Sequence, residues 1–345
     1  MKMKLIFITT ALFGGCIDLT VEPLPPSTGV EDCSGCAAND LDGTVFAFVN
    51  GKLTDPNTAY STNVVLEDDG AILGATVMLY DPERPGHLVK LGNVDLGPDH
   101  LGDGAKARQT FKDLAWHPDH GLWALTLDYV NDEWILTHIE VPDWHGSDQR
   151  LPATSYAFRT TDPIYWEPAV TGLAFVGDQL VLGTQADATG SGGRVFTSEV
   201  PDAWGIEPAY PDDPEFYADR DLTVLTTIFP DGFGIAGDIS DGDGALATVR
   251  SEASDVGDLE SNWLWQALPD PAELGLEVGV VRNQDLEGIA VLDDPDTAWA
   301  VDTEAIVYRF DLTTGVSGKV DDLSYAFSDP IDGIRVRGAA RVTLP

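Results

Sequence analysis

From residue 43 onward, apolar residues come in short runs of about five to nine, bounded by Asp, Gly and Pro. Such runs occupy residues 44–49, 121–128, 134–141, 179–184, 222–228 and 305–310, and are rich in Val, Ile, Leu, Thr and aromatics. No stretch sustains the three-and-four spacing of a long amphipathic helix. The pattern predicts an all-β domain over 43–345.

Within these runs a short motif recurs: a small or acidic residue, an aliphatic, then Ala. Its copies are Asp113-Leu114-Ala115-Trp116, Gly172-Leu173-Ala174-Phe175, Gly234-Ile235-Ala236-Gly237, Gly288-Ile289-Ala290-Val291 and Gly338-Ala339-Ala340-Arg341. The first four lead into acidic turns, such as Asp293-Asp294-Pro295-Asp296, and then a second strand. Small residues suit the crowded axis of a β-propeller, where inner strands converge, and spacings of roughly 50 to 60 residues hold four short strands each. The last copy lies close to the C-terminus, so its outer strands must come from 43–112. Pairing the chain ends in this way closes the ring and removes open sheet edges. Five blades are expected, with six as the runner-up and a β-sandwich as the competing architecture.

The N-terminus reads differently. Lys2 and Lys4 precede an apolar stretch over 5–13 and then Gly14-Gly15-Cys16, so residues 1–15 read as a secretory signal peptide. Leu12-Phe13-Gly14-Gly15-Cys16 resembles a bacterial lipobox, which implies lipidation of Cys16 and, with Ile17 following it, an outer-membrane lipoprotein; an ordinary cleaved leader is the alternative. Residues 16–42 form a tether rich in Pro and acid. Cys33 and Cys36 lie within it and are expected to form a local disulfide in an oxidising compartment, with free thiols or redox and metal work as alternatives.

Charge narrows the partners. The 345 residues carry 58 acids against 19 bases, a net charge of −39. Such a chain repels nucleic acid and anionic membrane surfaces, leaving the lipid anchor as the membrane contact. Asp outnumbers Glu by 42 to 16 and Lys numbers only 7. This surface resembles that of proteins from salt-adapted organisms; binding of divalent cations by surface acids is the other reading.

Candidate chemistry centres on one blade. Asp285-Leu286-Glu287-Gly288-Ile289-Ala290-Val291, with 297–302 and 306–311 after it, resembles the esterase-like phytase and SdiA-regulated propellers and, more loosely, NHL and gluconolactonase-like ones. That resemblance implies an inner-strand acid facing an axial tunnel, where it can hold a cation. Glu287 is the leading candidate for a Ca²⁺ ligand, with Asp285, Asp302 and Glu304 as further oxygen donors. The equivalent positions hold Lys112, Thr171, Phe233 and Arg337, and the cations among them offer an ion-pair alternative. Asp238 to Gly244 loosely resembles a calcium loop but lacks its closing Glu and reads as a tight turn. His117 and His120 read as exposed turn residues, and Gly190-Ser191-Gly192-Gly193 lacks the nucleophile elbow of a hydrolase. Two segments read as long loops, 142–168 and 201–221. Their Trp144, Trp166 and Trp204 can stack on sugars or anchor a partner.

With one notable acid and no second acid/base group of comparable quality, the expected function is binding or scaffolding at the cell envelope. A protein or a carbohydrate would be the partner. The alternative is a calcium-dependent hydrolase of the esterase, lactonase or phytase type at the tunnel mouth.

Overall fold

The computed structural model describes residues 41, 43–50, 65–66, 71–98, 109–128, 133–160, 170–176, 179–184, 195–198, 200, 218–220, 223–226, 239–242, 245–252, 261–267, 276–282, 286–292, 294, 296–302, 305–311, 317–323 and 336–345. Residues 1–40, with Cys16, Cys33 and Cys36, lie outside them, as do Trp166, Trp204, Asp285 and Glu304.

The described architecture is all-β. Strands β1 (Thr44–Asn50), β2 (Val65–Leu66), β3 (Ala71–Tyr80) and β4 (Leu88–Pro98) lead into a meander of β5 (Gln109–His117), β6 (Gly121–Asp128), β7 (Glu133–Ile139) and β8 (Gln149–Thr160). A second meander contains β9 (Val170–Val176), β10 (Gln179–Thr184), β11 (Val195–Ser198) and β13 (Thr223–Thr226), while β12 (Ala218–Arg220) runs parallel to β8. The third has β14 (Ile239–Gly242), β15 (Ala245–Glu252), β16 (Ser261–Ala267) and β17 (Leu276–Arg282). The fourth has β18 (Leu286–Val291), β19 (Thr297–Asp302), β20 (Ile306–Asp311) and β21 (Ser317–Asp322). The chain ends in β22 (Val336–Thr343), which pairs antiparallel with β1, placing Thr44 opposite Thr343 and Ala47 opposite Ala340. The order β22-β1-β3-β4, closed by the two chain ends, is one part of a ten-stranded sheet that continues from β4 through parallel β8 to β7, β6 and β5, with β2 as a short addition to β3.

The first strands of these sheets lie side by side in a ring. β22 lies against β5, β5 against β9, β9 against β14, β14 against β18, and β18 against β22 again. Radial sheets around converging inner strands make this a β-propeller. The packing shows why the strands read as near-continuous apolar runs. On β6, Leu122 and Ala124 face the core shared with the closing sheet, while Trp123 and Leu125 face the core shared with β9 and β10. Both faces of the sheet are covered, so the two-residue alternation separates two cores and not core from solvent. A third core joins Ala290, Val301 and Val307 to Tyr80, Leu88 and Ala339. Asp321 fastens that junction, accepting hydrogen bonds from Tyr80 Oη at 3.2 Å and Gly86 N at 2.5 Å.

Three expectations need correction. The acidic turn after the third motif copy is shorter than expected, because Ser240 to Gly242 belong to strand β14, which pairs antiparallel with β15 from Gly242 opposite Ala245. Segment 142–168 is not one loop, because β8 occupies much of it as an outer strand, antiparallel to β7 and parallel to β4. Its polar residues and its Pro152 disguise it, yet the Pro152 carbonyl accepts the Glu140 amide at 2.8 Å. Likewise 218–220, within the second supposed loop, form strand β12.

Candidate functional site

The repeated motif reads position by position in the structure. Its first residue sits where neighbouring backbones nearly touch. Gly338 has φ +65°, and a Cβ there would lie 2.2 Å from Asp113 Cα; one at Gly288 would lie 2.6 Å from Ala339 Cβ. Only hydrogen fits in that space. Asp113 holds the same motif position on β5 and is fully buried. Its Oδ1 accepts from Leu114 N at 2.7 Å and Ala339 N at 3.3 Å, and its Oδ2 from Leu173 N at 2.5 Å. One carboxylate thus ties β5 to both neighbouring inner strands, and the backbone donors offset its desolvation.

The residue before the motif is a β-bulge in three inner strands. Lys112, Thr171 and Glu287 each lack a register partner where their strands slip. Glu287 thus sits at an irregular point of β18, its side chain being outside what is described; bulges of this kind re-aim a side chain.

The fourth motif position carries the cavity. Trp116, Phe175 and Arg341, at equivalent places on three successive inner strands, line a cavity of about 670 Å³. The alanines of the same copies, Ala115, Ala174 and Ala340, also line it. His117 and Trp144 join the wall, and Thr343 lies exposed beside Arg341's strand end. Trp144 also packs against the core of the closing sheet.

The histidines are not the exposed turn residues expected. Both are half-buried: His117 stacks on His120 with centroids 4.7 Å apart, and Phe175 lies 5.2 and 5.8 Å from the two rings. The Asp119 amide donates to His117 Nδ1 at 3.1 Å, so that nitrogen is the unprotonated one. His138 stacks on Trp123, whose indole N–H donates to the His120 carbonyl at 2.8 Å. Aromatic packing accounts for the turn and holds His117 at the cavity wall.

Of the four acids singled out for Ca²⁺, Asp302 is the one whose side chain is described. Asp302 is buried; its Oδ1 accepts from Ile306 N at 2.9 Å and its Oδ2 from Tyr308 Oη at 3.0 Å, which fixes the β19–β20 turn where Ala305 takes φ +64°. Both Asp302 oxygens are thus engaged in holding this turn. Among the described residues no three His, Cys, Asp or Glu side chains are grouped to hold a metal. Asp294, in the acidic turn before β19, is likewise structural. The Thr297 hydroxyl and then the Asp296 amide hydrogen-bond to it and hold its pKa below the ordinary carboxylate value.

Sequence reasoning chose the blade with the acid and missed the fourth motif position. One signal was available: the first three positions stay small, acidic or aliphatic, while the fourth varies as Trp, Phe, Gly, Val and Arg.

No family model matches the chain, and no curated protein matches it. Solved structures do. The chain is similar to an oligogalacturonate lyase in complex with manganese, at 10% identity and a TM-score of 0.36 over 76% of this chain and 65% of that one. It is similar to the Dos1 propeller at 11% identity and a TM-score of 0.37, covering 82% and 72% of the two chains. A further similarity is to YCF48 bound to D1 peptide, at 9% identity and a TM-score of 0.30, covering 72% and 77%. The chain spans less than two thirds of the lyase's length.

Proposed function

We infer that this chain is a binding protein of the cell envelope: a five-bladed propeller, anchored through lipid on Cys16 and held off an outer membrane by residues 16–42. The binding seat is the cavity at the ends of β5, β9 and β22. The observation that carries this reading is the convergence of Trp116, Phe175 and Arg341 from separate inner strands on one cavity. Its volume of about 670 Å³ is that of a small-molecule or short-glycan site, with a wall of mixed apolar and polar groups. The ring of contacts among β22, β5, β9, β14 and β18 supports the count of five. A disulfide between Cys33 and Cys36 and export through the leader belong to the same proposal. Calcium at Glu287 and a hydrolase built on it form the second reading, which Asp302's commitment to its turn weakens.

Thr343→Trp tests the seat, because position 343 is exposed on the cavity wall and a large ring there fills the space without entering a core. In a thermal-shift screen against soluble glycans and organic acids, ligands that raise the melting temperature of the wild type leave Thr343→Trp unmoved. Equal shifts in both proteins, or no active compound at all, would place binding elsewhere.

A further inference from the structure

The turn between β5 and β6 places a proton-sensitive contact at the cavity wall. It spans Pro118, Asp119 and His120 and closes on Gly121 at φ +77°. Two hydrogen bonds hold it. The Asp119 amide donates to His117 Nδ1 at 3.1 Å, and the Trp123 indole N–H donates to the His120 carbonyl at 2.8 Å. The first needs a neutral imidazole, because Nδ1 accepts only while it carries no proton. The second has no such dependence. His117 and His120 stack at 4.7 Å, and both rings lie against Phe175, which is 3% exposed. The histidine pair thus covers Phe175 at a wall that His117 and Phe175 both line.

A proton on His117 Nδ1 changes these contacts together. The new N–H meets the Asp119 N–H donor to donor, so that amide loses its acceptor. With His120 charged as well, like charges stand 4.7 Å apart. Among the described residues, the other titratable or charged groups around the pair are Asp119 in the turn, His138 on β7 and Arg341 on β22. Asp119 favours a charged imidazole, whereas Arg341 and a charged His138 oppose one. His138 stacks on Trp123, and a Cβ at Gly121 would lie 2.9 Å from its Nε2, so it sits against the same turn. From β9 comes Phe175, which holds no charge. Pro118 and Asp119 are exposed, so the tip of the turn shifts without drawing a buried residue with it.

We propose that this turn is a proton-sensitive part of the cavity wall: protonation of His117 releases the Asp119 amide, parts the His117–His120 stack and bares Phe175 to the cavity. The device rests on the geometry of the turn and stands whether or not the cavity is the binding seat.

Nuclear magnetic resonance of the full-length protein in detergent, labelled with ¹⁵N at His and Trp, tests it between about pH 8 and pH 5, where imidazoles ordinarily change charge. At the alkaline end His117 shows a bare Nδ1 and a protonated Nε2. On acidification the Trp123 indole N–H resonance, which reports on the His120 carbonyl, moves with the midpoint of the His117 ring. Both readings are made on the wild type and need no variant. His117→Phe keeps a flat ring without a titratable nitrogen, and in it the indole resonance stays in place. In His138→Phe it still moves. A proton on His117 Nδ1 at the alkaline end, an indole resonance that ignores the His117 titration, or one that moves unchanged in His117→Phe overturns the switch. Movement lost in His138→Phe would assign the response to His138 and overturn it equally.

Discussion

A single carboxylate shows how much the axis of this molecule depends on individual residues. Asp113 stands where other motif copies have glycine, and it is tolerated because Gly338 leaves room for it. In return it supplies acceptors to amides 60 and 226 residues away in sequence. Gly338→Ala therefore forces a Cβ against the Asp113 backbone at a positive φ. The expected loss is about 3 kcal/mol or more in chemical denaturation, with the protein recovered largely unfolded in the extreme case. A variant with wild-type stability would mean that β22 and β5 do not approach as described. The glycine requirement was legible in the sequence as a repeated small residue. The role of Asp113 was not, because a carboxylate that satisfies backbone amides on two other strands leaves no local mark on its own. Asp302 follows a related pattern. Near Asp285 and Glu287 in sequence it resembles part of a ligand cluster, yet the tight β19–β20 turn engages both its oxygens first.

At the scale of elements, the closing sheet was readable because a motif copy near the C-terminus had no outer strands of its own. β1, β3 and β4 supply them, and β22 becomes the innermost strand of a sheet otherwise built from the beginning of the domain. Val336, Ala339, Ala340 and Val342 each enter a buried core from that strand. Removing residues 336–345 thus strips an inner strand and uncovers the faces on either side. We expect the truncated protein to lose its cooperative thermal transition and to bind hydrophobic dyes; a truncation that still melts in one sharp step would contradict closure by the chain ends. Outer strands were harder to read. β8 carries several polar residues and a proline because it pairs at the periphery, where Arg150 and Pro152 are exposed. The cavity escaped for another reason. The fourth motif residue faces the cavity only once three inner strands stand side by side, so its meaning depends on the ring and not on its own strand.

For the whole molecule the dominant quantity is charge. A net charge of −39 over the 345 residues works against the folded state by self-repulsion, and added salt screens it over a length that falls to ~3 Å at 1 M. The melting temperature is expected to climb by several degrees between 0.1 M and 2 M KCl, and calcium at low millimolar concentration should give no larger shift than magnesium. A melting temperature independent of KCl would remove the salt-adapted reading, and a calcium-specific rise would revive the metal site. The account as a whole rests on inner strands meeting at an axis, and amide hydrogen exchange reads that meeting directly. Leu173 and Ala339 donate their amides to Asp113 across two strand boundaries. In Asp113→Asn the new side-chain amide must turn its own N–H groups toward one of them. The account predicts that both amides are protected in the wild type. It also predicts that at least one exchanges roughly tenfold or more faster in the variant, while those of β19 and β20 keep their rates. Unprotected Leu173 and Ala339 amides in the wild type, or rates unchanged by the substitution, would contradict it.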